Sequence, residues 1–156
     1  MRGNEQVLAS LKMLAQTEFT AMMQYRASAQ ILRNAGYKGL KHKLHCFFYD
    51  ENDHSKMLLN RLMILGGEAE PKDFVADEPK VVTDVVAIFS ALLALEVKSI
   101  ADYNNAIALS SDMKDAKTED MLEEILCEEE QHAAWFEKQL RIISDIGRPN
   151  YLAQYV

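Results

Sequence analysis

Residues 49–62 read YDENDHSKMLLNRL. Apolar side chains recur there at intervals of three and four, and the stripe extends both ways as Leu40, Leu44, Phe48, Glu51, His54, Leu58, Leu62 and Leu65. That period is helical, since a strand would alternate every second residue. Two members of the stripe do not belong on an apolar face, Glu51 and His54. Three residues apart on a helix, their side chains lean toward one point on the same face.

The pattern occurs three more times. One stripe is Leu11, Ala15, Glu18, Met22, Tyr25, Ala29, Leu32; another is Phe89, Leu92, Glu96, Ile100, Tyr103, Ile107. The last is Leu122, Ile125, Glu129, His132, Phe136, Leu140, Ile143. Adding 78 to Glu18, Tyr25, Glu51 and His54 lands on Glu96, Tyr103, Glu129 and His132, so the chain reads as two copies of one helical hairpin. Gly36 and Gly39 separate the first two helices, and Gly66-Gly67 stops the second. From Glu68 to about Val82 the chain is polar and carries Pro71 and Pro79, which predicts an extended connection. Thr83-Asp84 predicts a cap and an acidic first turn for the third helix, which ends near Asp112. Gly147-Arg148-Pro149 ends the fourth, leaving Asn150 to Val156 for one or two further turns. The expected architecture is all-α, a four-helix bundle with one long crossover between helices two and three and a short fifth helix.

An ionised carboxylate inside a bundle costs several kcal/mol unless it is paired or ligates a metal. No Lys or Arg stands on the four stripes to neutralise Glu18, Glu51, Glu96 and Glu129. Two divalent cations would balance four carboxylates, with His54 and His132 as neutral ligands. Mixed oxygen and nitrogen donors suit iron or manganese. One Glu-x-x-His alone is weak evidence; two at matched offset, each with a buried partner Glu, are strong.

Other features narrow the field. The 156 residues suit one domain spanning 1–156, and 49% hydrophobic with 26% charged residues excludes a disordered chain. With 17 Lys+Arg against 24 Asp+Glu, the net charge of −7 is poorly suited to nucleic acid. Cys46 and Cys127 form no C-x-x-C pair, excluding a zinc ribbon or rubredoxin-type iron site. Free thiols are the expected state, although one long-range disulfide stays open. The start, Met1 to Gln6, lacks the apolar core of a signal peptide. The longest apolar stretch, near Val85 to Val97, is broken by Ser90 and Glu96 and is too short for a bilayer. A cytoplasmic protein with no membrane partner is expected.

With these residues in hand, the chain resembles a bacterioferritin, a ferritin-like di-iron protein, over nearly its whole length, including Trp135-Phe136-Glu137 through Gly147-Arg148-Pro149-Asn150-Tyr151-Leu152. The resemblance implies a di-iron centre within one subunit, two irons on Glu18, Glu51, His54, Glu96, Glu129 and His132, with Glu51 and Glu129 bridging. It implies ferroxidase activity, Fe2+ being oxidised by O2 or H2O2, and ferric mineral stored in a cage of 24 subunits built from two-fold dimers. Tyr25 matches a tyrosine beside the site; a plain core tyrosine is an equal reading. A co-assembling ferritin subunit bearing haem and a reducing ferredoxin are partners the resemblance admits. Three positions depart from the pattern. Asn52 stands where the haem-ligating methionine belongs, so haem is not carried over. Asp50 matches the acid of an inner-surface iron site, but Cys46 replaces its histidine. Leu58 replaces a second tyrosine. Rival readings are a rubrerythrin-like peroxidase, a manganese catalase, and a non-haem storage subunit.

Overall fold

Helix α1 spans Glu5–Asn34, α2 Lys38–Ile64, α3 Val85–Asp112, α4 Ala116–Ile146 and α5 Arg148–Leu152. The structure is a computed structural model that describes residues 3–156. Met1 and Arg2, part of the chain start discussed above, lie outside the described residues. The ends of the helices follow local chemistry. Asn4 caps α1 by accepting from the Gln6 and Val7 amides, and Asp84 caps α3 by accepting from Val86 and Ala87. The expected acidic first turn of α3 is absent, because Asp84 is itself the cap. Gly36 turns the chain between α1 and α2 with φ +94°, a conformation that disfavours any residue with a Cβ. Gly39 lies inside α2, not in the turn, and a Cβ there would meet the Tyr155 ring at 2.9 Å.

The first hairpin, α1–α2, packs against the second, α3–α4. The connection between them is extended but contains one 3-10 turn, Pro71–Phe74, closed by reciprocal Glu70 and Asp73 hydrogen bonds. It runs along α1 in the direction of that helix. Asp73 pairs with Lys12 at 3.0 Å, the Asp77 amide donates to Thr20 at 3.0 Å, and Gln24 bonds both the amide and the carbonyl of Lys80. The chain therefore returns to the end where α1 stops, and α3 starts antiparallel to α1. Helix α4 ends at Ile146 as expected, but α5 begins two residues earlier than the sequence suggested, since Pro149 fits a first helical turn.

The core is divided. One apolar cluster gathers Leu32, Leu40, Leu44, Phe47, Phe89 and Phe136 with Tyr25; the other gathers Leu11, Leu14, Leu58, Leu62, Leu122 and Ile125 with Tyr103. Four stripe positions sit one residue out of phase. Phe47, Ser99, Ala106 and Gln139 are fully buried, whereas Phe48, Ile100, Ile107 and Leu140 are only half-buried. A straight helix turns 3.6 residues, so a stripe picked at threes and fours drifts off the core over several turns.

Candidate metal centre

Between the two apolar clusters lies a polar layer. Glu18 comes from α1, Glu51 and His54 from α2, Glu96 from α3, and Glu129 and His132 from α4; all six are buried. Their donor atoms form two groups, Glu18, Glu51, His54, Glu129 and Glu51, Glu96, Glu129, His132, each with its atoms within 4.8 Å of one another. Glu51 and Glu129 belong to both. The sequence repeat is thus a spatial pseudo-two-fold that exchanges the two shared carboxylates, Glu51 and Glu129.

The imidazoles turn Nδ1 inward. His54 Nδ1 lies 2.9 Å from Glu51 Oε2 and 2.9 Å from Glu129 Oε1, and His132 Nδ1 lies 3.1 Å from Glu51 Oε1. One Nδ1 proton cannot satisfy two carboxylates. Glu129 Oε1 accordingly has no hydrogen bond of good geometry, and neither has buried Glu18 Oε2. Such orphaned oxygens around a shared centre fit cation ligands.

Electrostatics point the same way. Burial, then the charges of Glu129 and Glu51, raises the Glu18 carboxyl well above its ordinary 4.5; Glu96 is raised likewise, and Glu129 by burial and then Glu51. Burial also works upward on Glu51, but hydrogen bonds from His132 and His54 bring it down to about 2. Burial disfavours charge on His54, yet the Glu129 and Glu51 carboxylates close to its Nδ1 hold it at about 12; His132 is raised for similar reasons. Without metal, protons occupy this layer. Carboxylate oxygens and imidazole nitrogens that hold protons for want of a better partner are suited to divalent cations.

Tyr25 does not serve Glu18 on its own helix. Its hydroxyl donates to Glu96 across the bundle, and Tyr103 donates to Glu18 in the mirrored arrangement. Both tyrosines are fully buried, and burial raises both hydroxyls well above 10. Sequence reading found Tyr103 by the offset of 78 but gave it no role. A second pair was missed. His132 Nε2 lies 3.2 Å from Asp50 Oδ2, and His54 Nε2 lies 3.1 Å from Glu128 Oε2. Adding 78 to Asp50 gives Glu128, so the signal was present.

The departing positions fall outside the layer. Cys46 is exposed and free, 4.0 Å from His42 Nε2 and without a bond to Asp50; Cys127 is also exposed and free. Asn52 donates to Asp53 at 3.3 Å, and Leu58 is wholly buried in the core. Among the described residues, no helix is long and apolar enough to cross a membrane.

Four helices arranged as two hairpins around six buried carboxylate and imidazole side chains form a bundle whose interior is compatible with a metal site. The chain belongs to the ferritin-like family, whose domain it matches over residues 8–146. It is 33% identical to a bacterial ferritin of Synechocystis over 153 residues, 97% of each chain, and 31% identical to one of Pseudomonas aeruginosa over the full length of both. It is 27% identical to a bacterioferritin of Mycobacterium leprae over 156 residues, 97% of that protein. The resemblance to the bacterioferritins is borne out.

Proposed function

We propose that this protein stores iron and is a ferroxidase, oxidising Fe2+ to Fe3+ on the six buried ligands and holding the ferric product inside a cage of 24 chains in the cytoplasm. The carrying observation is that Glu51 and Glu129 stand in both donor groups, which supports two cations bound side by side. Two Fe2+ lose one electron each; with two protons these reduce O2 to H2O2, or H2O2 to two waters. Side-by-side binding lets both electrons leave in one encounter, and this is the chemistry the metals supply.

The chain's own groups prepare that step. Glu18 and Glu96 give each cation a carboxylate of its own, and Tyr103 and Tyr25 orient those carboxylates by donating hydrogen bonds to them. Four carboxylates against two divalent ions make a neutral interior, and each added positive charge on oxidation then favours release of product. Anaerobic Fe2+ titration followed by aerobic stopped flow tests the reading. Fast oxidation saturating at two Fe2+ per chain, with native mass near 24 chains and retained iron, is expected. Mn2+-dependent H2O2 disproportionation with no Fe2+ oxidation would point instead to a manganese catalase.

A further inference from the structure

From Phe19 to Tyr49 the chain carries Arg26, Arg33, Lys38, Lys41 and Lys43 and no Asp or Glu, although the whole sequence has 24 acids against 17 Lys and Arg. The turn between α1 and α2 folds this stretch back on itself. A cleft of about 350 Å³ results, walled by Arg26, Arg33, Lys41, His45, Phe48 and Tyr49. None of the six buried acids and histidines of the polar layer lines it.

The cations of the cleft are uncompensated. Lys12, Lys56, Arg61, Lys98 and Arg148 each hold a carboxylate. Among the described residues, Arg26, Arg33 and Lys41 have none within 4.0 Å. Lys41 also stands near the N-terminus of α2, whose first turn has no acidic residue. A helix N-terminus already favours negative charge, so a lysine there is opposed by the backbone as well. The Lys41 ammonium is a donor only and lies 3.2 Å from His45 Nδ1. That nitrogen therefore accepts, and the imidazole carries its proton on Nε2. Tyr49 holds the ring by stacking, with 5.0 Å between centroids and 21° between planes. Two guanidinium forks, an ammonium and an imidazole N–H thus line one cleft that no carboxylate lines.

We propose that this cleft binds a phosphate-class oxyanion, one per chain; the inference does not rest on the metal-centre reading. A single carboxylate has one charge and one face, too little for three separate cations. A tetrahedral oxyanion carries more charge and presents oxygens in several directions. Planar guanidinium forks match such oxygens two at a time, and a lysine adds a point charge.

Titration of the metal-free full-length protein with inorganic pyrophosphate and with orthophosphate tests this, read by calorimetry and by phosphorus NMR. Saturable binding of one pyrophosphate per chain is expected, weakening as KCl is raised and not displaced by equimolar acetate. Arg26→Gln, Arg33→Gln and Lys41→Met should each weaken it by about tenfold or more, since each removes a hydrogen bond from a charged donor. Arg26→Lys keeps the charge without the fork and should fall between parent and Arg26→Gln. Lys117→Gln removes the same charge from the exposed start of α4, outside the cleft, and should bind as the parent does. The cleft variants should oxidise Fe2+ at the parental rate, so the two readings stand or fall separately. Absence of saturable binding would overturn the proposal, as would an equal loss in Lys117→Gln, which reduces the effect to overall charge. Cleft variants that bind pyrophosphate normally but change the native mass would also overturn it, because the cations would then be pairing with acids of a second copy.

Discussion

At the scale of the residue, the centre is a set of acids that the fold buries against their preference. Glu129 belongs to both donor groups, and His132 supplies one inward nitrogen. Glu129→Gln or His132→Ala should remove the fast phase of Fe2+ oxidation, by at least tenfold, and leave the helical signal intact. Glu129→Gln also deletes a carboxylate that Glu51 repels, so its metal-free melting temperature should equal or exceed the parent's. An unchanged stopped-flow rate in both variants would place oxidation elsewhere. The protons of the layer set a pH dependence. His54 is raised from 6.5 to about 12, so the folded metal-free chain holds more protons than the unfolded one across that window. Its stability therefore falls as pH rises from 6.5 toward 12. The raised Glu18, Glu96 and Glu129 act in the same direction above 4.5, whereas Glu51, lowered to about 2, contributes stability that is lost only below 4.5. Metal displaces these protons, so affinity rises with pH. The gap in melting temperature between metal-loaded and metal-free protein should widen from pH 6 to pH 8.5; a constant gap would contradict this protonation scheme.

At the scale of the element, what could be read from sequence was whatever depends on one helix at a time. The six buried acids and histidines were legible because each breaks an apolar stripe, and the helix order because Gly36, Gly66 and Asp84 punctuate the chain. Contacts between helices were not legible. Tyr25 lies on the stripe of Glu18, yet it serves Glu96, because the antiparallel crossing of α1 and α3 brings residue 25 opposite 96 and 18 opposite 103. No periodicity encodes that pairing. The crossover was equally opaque: Gln24 looks like an ordinary polar helix residue, but it is buried and holds Lys80 by two hydrogen bonds, at 2.7 and 2.9 Å. Gln24→Ala would leave a part-buried backbone amide and carbonyl without these partners, a loss of about 1–2 kcal/mol. The melting temperature should drop by several degrees, with Fe2+ oxidation retained, since Gln24 touches none of the six ligands. A variant as stable as the parent would mean the crossover holds without this anchor.

At the scale of the whole molecule, the open question is what lies between two chains. The family resemblance puts haem on a two-fold axis, ligated by one thioether from each of two symmetric subunits. Symmetry makes such a site vulnerable, since one change in the sequence removes both ligands at once. In this chain the position is Asn52, whose amide donates to Asp53 Oδ1 at 3.3 Å. An amide oxygen is a hard, weak donor and a poor replacement for soft sulfur on haem iron. The surroundings are polar as well: Asp53 pairs with Lys56 at 2.8 Å on the surface, and Tyr49 is exposed. Purified protein reconstituted with haemin and then reduced should therefore show no sharp low-spin b-type spectrum. Asn52→Met restores one sulfur per chain, two per dimer, and should produce that spectrum at one haem per two chains if an apolar pocket has survived on the axis. The iron centre gives an internal control, because Asn52 contributes to neither donor group and Asn52→Met should oxidise Fe2+ at the parental rate. A low-spin spectrum in the parent at one haem per two chains would show that another side chain has taken over axial ligation and would overturn the reading of Asn52.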